Sequence, residues 1–330
     1  MTLASWPYDR VEAMKDGEVR PKGIDLKFLP SHPGDTFLRM LEHREFEASE
    51  MSMSSLLMTK ETDDPFVAIP VFTSRTFRHN GLFINTESGI KDPQDLIGKR
   101  VGLPEYQITS ALWIRGILQH EYGVHPTKIK WFAERWGNGM HSHGSAIGFK
   151  PPEGVSISTI PRSESQFTLL KKGKLDAVFI IQEIPSSICR SSLSDFSRPL
   201  PNIRRLFENY KEVEKEYFRK TGLFPIMHTV IIKRDIYKRK RWAAKSLYDA
   251  FCESKQKFYE KTGEWELFSF PWIRAALEEQ RELMGNDPYP YGFRENRKVV
   301  ETICQYSYEQ GLTRELWDAE KLFAENTLDT

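Results

Sequence analysis

The sequence predicts an α/β protein in two lobes, and three observations carry that prediction. Short apolar runs alternate with stretches of helical period from the start to about residue 181, the pattern of a largely parallel sheet covered by helices. The pattern restarts at "KRVGLPEY", and a lone strand, "LFPIMHTVIIKRD", returns after it. The length, 330 residues, is enough for two domains that each bury a core. The expected layout is therefore 1–98 plus 223–330 as lobe 1 and 99–222 as lobe 2, with two crossovers and a ligand cleft between them.

The elements follow in order. "TLASW" reads as a strand, followed by a polar turn and a short helix near 11–15. "IDLKFLP" is a second strand. "PGDTFLRMLEHREF" is helical, with Phe37, Met40 and Leu41 at helical spacing. "FEASEMS" is a third strand, and 52–60 a helix with serines in its first turn. "FVAIPVF" and "NGLFIN" complete the first set. The second set has strands "RVGL", "IKWFA", "VSISTI" and "LDAVFII", with helices at 108–122 and 163–172. Two stretches, "RWGNGMHSHGSAIGFKPPEG" and "QEIPSSICRSSLSDFSRPLPN", lack periodicity. "IRRLFENYKEVEKEYFRKTG" reads as a charged helical connector whose charges are most simply a solvated face. After the return strand come helices at 242–262, 272–284 and 295–308, the last two separated by "NDPYPYGF".

Composition narrows the function. The formal net charge is +1, from 47 Lys and Arg against 46 Asp and Glu, so no global field attracts nucleic acid or a membrane surface. Cys189, Cys252 and Cys304 are far apart and form no metal spacing, which points to free thiols in a reducing compartment. "MTLASWPYDRVEAMKDG" has neither a basic segment nor an apolar stretch of secretory type, and no run of about 20 apolar residues exists. The expectation is a cytoplasmic protein without nucleic-acid or membrane partners; homo-oligomerisation is compatible with it. Trp6, Tyr8, Phe72, Phe77, Tyr106 and Trp113 lie near polar residues, which suits a flat, partly apolar ligand, although core packing accounts for most such aromatics.

Several blocks resemble one family. They are "WPYDR", "FLRMLEHREFEASEMSMSS", "FVAIPVFTSRTFRHNGLFIN", "GKRVGLPEYQITSALWIRGIL", "YFRKTGLFPIMHTVIIKRDIY" and "YPYGF", spread over nearly the whole chain. Together they resemble the 4,5-dihydroxyphthalate decarboxylase family. The resemblance implies a type II periplasmic-binding-protein-like fold with a helical C-terminal region. It also implies non-oxidative loss of carbon dioxide from a hydroxylated aromatic carboxylate. The stretch 136–151 lies outside it.

That chemistry needs a base, an acid and carboxylate clamps, but no organic cofactor. His228 and His79 are candidates for proton transfer, since imidazole titrates near neutrality. Glu105 is placed to hold or ionise a catechol hydroxyl. Arg75, Arg78 and Arg115 are candidate carboxylate clamps. In an extended segment, 75 and 78 face opposite ways, so a surface ion pair competes with a clamp at each. Backbone N–H groups at the turn holding Tyr106 and Gln107, and at the helix start holding Ser52 and Ser54, suit anionic oxygens; simple capping explains the serines equally. Trp6 and Tyr8 complete the expected binding set. His141 and His143 form an HxH pair that could be half of a metal site, but the expectation is no metal. The alternative function is a solute-binding or sensor protein for an aromatic carboxylate, which needs clamps but no acid.

Overall fold

The computed structural model describes residues 1–135, 147–181, 191, 193–196, 200–263 and 269–330. Among them are eleven strands: β1 (Thr2–Ser5), β2 (Lys27–Pro30), β3 (Ala48–Ser52), β4 (Phe66–Arg75), β5 (Leu82–Asn85), β6 (Arg100–Leu103), β7 (Lys130–Ala133), β8 (Ser156–Thr159), β9 (Ala177–Phe179), β10 (Ile203–Arg205) and β11 (Ile226–Lys233). They form a five-stranded sheet in the order β2-β1-β3-β11-β4 and a six-stranded sheet in the order β10-β5-β9-β6-β7-β8. The chain divides into two units. The first holds Met1–Arg75, Ile226–Glu301 and Asp318–Thr330; the second holds Thr76–Pro225 and Thr302–Trp317.

In the first unit β1 pairs in parallel with β2 and β3, while the return strand β11 runs antiparallel between β3 and β4. The β-branched run of "IMHTVIIK" suits this central position, where Val230, Ile231 and Ile232 are fully buried. The helix Trp242–Thr262 lays Ala243, Ala244, Leu247, Ala250 and Phe251 on a core that includes Leu3, Ile69, Val71 and Val230.

In the second unit β6, β7 and β8 are parallel, as expected, and β9 pairs in parallel with β6. Its core clusters Phe83, Leu170, Leu175, Val178 and Ile180. The helix Thr109–Tyr122 ends at Gly123, whose φ of 70° is the left-handed cap glycine allows.

The unit boundaries differ from the expected ones. The expectation puts 76–98 in lobe 1, because the strand pattern restarts at Lys99. Instead β5 pairs with β9 and β10 in the other sheet. Gly81 permits this. A Cβ there would lie 2.5 Å from the Ile180 carbonyl oxygen, so only glycine lets the chain enter β5 so close to its neighbour. β10 is a second difference. It falls in the stretch read as a helical connector, of which only Tyr210–Thr221 is helix.

Residues 302–317 also belong to the second unit, by way of Tyr306. A Cβ on Gly116 would sit 2.0 Å from the Tyr306 ring. Helix propensity favours Gly116→Ala by about 1 kcal/mol, but overpacking costs roughly 1–3 kcal/mol. The expected result is net destabilisation, read as a lower denaturation midpoint; a raised midpoint would show that the Tyr306 ring yields freely.

Candidate functional site

The first unit gathers a polar cluster on Glu50. β3 alternates, so Glu50 and Ser52 share a face. β11 sets His228 opposite Ser52 and Val230 opposite Glu50, which makes His228 and Glu50 diagonal neighbours on that face. The ladder between β11 and β4 is irregular here: β4 runs from Ile69 to Ser74 while β11 runs only from Val230 to His228. Such bulges re-aim side chains, and Thr73 comes to bear on the same carboxylate.

Glu50 is 0% exposed. Its Oε1 accepts from the Tyr8 hydroxyl at 2.7 Å, from Thr73 Oγ1 at 3.0 Å and from His228 Nδ1 at 2.7 Å. Its Oε2 accepts from the Trp6 N–H at 3.0 Å and Ser5 Oγ at 3.3 Å. Burial drives this carboxyl up, but the hydrogen bond and charge of His228, with Trp6 and Tyr8, outweigh it and hold the carboxyl below its ordinary 4.5. Glu50 is therefore an anion without a proton to give, and His228 Nδ1 must be the donor. The other ring nitrogen of His228 is left for a ligand, on a side chain 19% exposed. Burial and the Glu50 charge hold the Tyr8 hydroxyl far above the usual phenol range, so it stays a donor.

Aromatic rings border this dyad. Phe37 stands edge-on to His228 at 4.8 Å, and Trp6 edge-on to His32 at 5.0 Å. Trp6 is 40% exposed. Of the sequence candidates, His228, Tyr8 and Trp6 come together here, whereas Glu50, Thr73 and His32 are not among those candidates. Ser52 and Ser54 are also nearby, both buried, with their hydroxyls 3.2 Å apart.

Arg75 is buried and built into its own unit. Its Nη2 donates to the Pro290 carbonyl at 3.0 Å and to Asn296 Oδ1. Its carbonyl accepts from the Tyr289 hydroxyl at 3.3 Å. Asn296 in turn donates to the carbonyls of Pro290 and Gly292, so this arginine pins the "YPYGF" turn. Burial lowers its pKa to about 10.

The second unit holds the remaining candidates in its interior. Glu105, Tyr106 and Gln107 are buried. Glu105 accepts from Arg135 Nη2 at 2.8 Å and from Gln107 Nε2. Tyr106 stacks on Phe149, and its ring lies 3.6 Å below the Arg115 guanidinium. Arg115 donates from Nε to Gln310 at 2.8 Å and from Nη1 to the Tyr106 carbonyl at 2.7 Å. Its pKa falls to about 10 through burial. Arg78 is buried too, lowered to about 10 by burial against the charge of Glu214. His79 is enclosed between the rings of Phe207 and Tyr217, and burial lowers its pKa to about 4. The three arginines expected as clamps and His79 are thus interior groups in this structure, because a guanidinium or imidazole on an apolar element is as readily used to tie turns together as to meet a ligand. Phe72 and Trp113 are core aromatics. His141, His143 and Cys189 lie outside the described residues. Among the described residues no group of three or more His, Cys, Asp and Glu is placed to hold a metal ion, and no helix is long and apolar enough to cross a membrane.

Comparison with known proteins identifies the family. A protein of Comamonas testosteroni named 4,5-dihydroxyphthalate decarboxylase is 33% identical over 333 residues, covering 100% of this chain and 98% of its own. The chain belongs to the 4,5-dihydroxyphthalate decarboxylase family. A Pseudomonas putida protein of the same name is 31% identical over 220 residues, 66% of this chain and 81% of its own length. Membership makes the chain a decarboxylase, a carbon–carbon lyase. Residues 20–133 also match the family model described as NMT1/THI5 like.

Solved structures share the fold. The periplasmic aliphatic sulphonate binding protein SsuA from Escherichia coli aligns with a TM-score of 0.56 at 12% identity, covering 100% of this chain and 99% of its own. The desulfurization enzyme DSZB aligns with a TM-score of 0.52 at 12% identity, covering 99% of each chain. The fold is the type II periplasmic-binding-protein-like α/β fold with a helical C-terminal region. It carries both a binding protein and an enzyme, so the activity must be argued from the site.

Proposed function

We propose that the chain decarboxylates a hydroxylated aromatic carboxylate, 4,5-dihydroxyphthalate to protocatechuate, by protonating the ring carbon that bears the carboxylate. The observation that carries this reading is the buried Glu50 anion fixed on His228 Nδ1 at 2.7 Å. It orients an imidazole and balances its charge while the second nitrogen moves protons.

In 4,5-dihydroxyphthalate each carboxylate is para to a ring hydroxyl. His228 takes the hydroxyl proton through its free nitrogen, and the phenolate pushes electrons to the para carbon. The same imidazolium delivers the proton to that carbon. The carbon–carboxylate bond then breaks, its electron pair returns to the ring, and carbon dioxide leaves. The product phenolate takes one proton from solvent, so the reaction consumes one proton overall. The exposed ring of Trp6 gives an aromatic surface for the substrate.

The test is incubation of the purified protein with 4,5-dihydroxyphthalate, with mass spectrometry for protocatechuate and carbon dioxide. His228→Asn should lower turnover about 10²–10⁴-fold while leaving KM nearly unchanged. Saturable binding without any carbon dioxide release would overturn the reaction and favour a solute-binding or sensor role.

A further inference from the structure

Beside the Glu50–His228 dyad stands a second imidazole that the reaction as written leaves unused. His32 is the N-cap of the helix Pro33–His43, and its Nδ1 accepts the Gly34 N–H at 3.2 Å. An Nδ1 that accepts carries no proton, so the ring is neutral and its proton sits on Nε2. The side chain is half-buried, and its ring meets the edge of Trp6, whose backbone N–H is bound to Glu50. The same helix carries Phe37 against His228. The charged and titratable groups that face His32 are Asp35, Glu50 and His228.

We propose, on the basis of the decarboxylase reading above, that His32 is a second substrate-contacting residue: a neutral imidazole whose Nε2–H hydrogen-bonds the ionised ring oxygen of the hydroxylated aromatic acid. His228 and His32 then divide the work. The imidazole on the buried carboxylate transfers protons. The imidazole on the helix N-terminus, where positive potential disfavours a second cation, holds charge on oxygen without taking it up. Burial lowers the His32 pKa from its ordinary value, against the opposing charges of Asp35 and Glu50, which keeps the donor neutral at working pH.

His32→Asn separates this role from capping. Asparagine caps helices well, and its side-chain oxygen can take the Gly34 N–H, but it has no donor where Nε2–H stood. With 4,5-dihydroxyphthalate as substrate, turnover should fall by about 10²–10³-fold, the usual loss for one oxyanion donor, with the thermal midpoint unchanged. Protonation of His32 breaks its acceptor bond to Gly34, so wild-type kcat/KM should decline as pH falls below the ordinary imidazole value of 6.5. Because His228 must also be unprotonated to take the hydroxyl proton, His32→Asn should make that limb less steep without removing it. Wild-type turnover and an unaltered pH profile in His32→Asn would overturn the proposal while leaving the decarboxylase reading intact. A wild-type protein that neither binds nor converts 4,5-dihydroxyphthalate would overturn both.

Discussion

Glu50→Gln is expected to lower turnover by roughly 10²–10⁴-fold, as loss of a proton-transfer function does, with a smaller change in KM. The carboxylate accepts from five donors: Ser5, Trp6, Tyr8, Thr73 and His228. An amide has one acceptor oxygen, so its NH₂ must face donors whichever way it turns. If the NH₂ replaces Oε2, the Trp6 N–H loses its acceptor. If it replaces Oε1, Tyr8 and Thr73 can rotate their hydroxyls to accept. His228 can then accept only by moving its proton to Nε2, and that tautomer cannot take a proton from the substrate. An orphaned buried donor costs about 1–3 kcal/mol, so a modest fall in stability accompanies the loss of turnover.

The pH dependence of stability separates the two effects. The Glu50 carboxyl is held below its ordinary 4.5 in the folded protein. A depressed carboxyl contributes stability that is present above the unfolded value and lost as pH falls through the folded one. Wild-type stability should therefore drop as pH goes below 4.5, and that component should vanish in Glu50→Gln. Denaturant unfolding at a series of pH values reads it directly. A variant that keeps wild-type turnover would mean that His228 needs no buried anion to orient it.

The α/β alternation was legible because the strands are short, apolar and separated by turn residues, and the family because long blocks of unusual sequence carry it. His228 is a candidate from sequence because imidazole titrates near neutrality and "FPIMHT" lies where the chain returns. Glu50 is not. In "FEASEMS" the face that carries Glu50 by alternation also carries Ala48 and Ser52, small or polar residues that read as the solvent side of a half-buried strand. Only pairing with β11 shows that this face is covered, and a pairing across 178 residues leaves no trace in local sequence. His32 was hidden by the proline beside it, since "SHPGD" reads as a helix start and nothing more.

The arginines went the other way. Arg75 and Arg78 stand in a strand-to-turn stretch rich in polar residues, a good place for carboxylate clamps by composition. What spacing cannot supply is the partner: Asn296 and Pro290 for Arg75, Glu214 for Arg78. The switch of sheets at 76–81 was missed for a related reason. Two apolar runs in succession say nothing about which sheet each joins. The close approach at Gly81 that decides it depends on Ile180, far along the chain.

Arg115→Met should unfold the second unit far more readily without a catalytic signature of its own. Arg115 is fully buried and holds three things together: the Tyr106 carbonyl, the Tyr106 ring and Gln310. Methionine fills part of the volume but donates nothing. Two hydrogen bonds from a charged donor are lost, each worth roughly 1.5–3 kcal/mol, so the unit should lose on the order of 3–6 kcal/mol. The Tyr106 carbonyl and the Gln310 side-chain oxygen become buried acceptors without that donor, and the turn 105–107 loses its tie to the helix Thr109–Tyr122. Gln310 still donates to the Leu112 carbonyl at 3.0 Å, so one link between 302–317 and that helix survives. Denaturant unfolding should show the loss as an earlier transition, and the protein that remains folded should turn over 4,5-dihydroxyphthalate at nearly the wild-type kcat. The opposite result, normal stability with substrate affinity lost by tenfold or more, would return Arg115 to the role of a carboxylate clamp. A tenfold loss is only about 1.4 kcal/mol, so the two outcomes are separated by size and by which measurement moves.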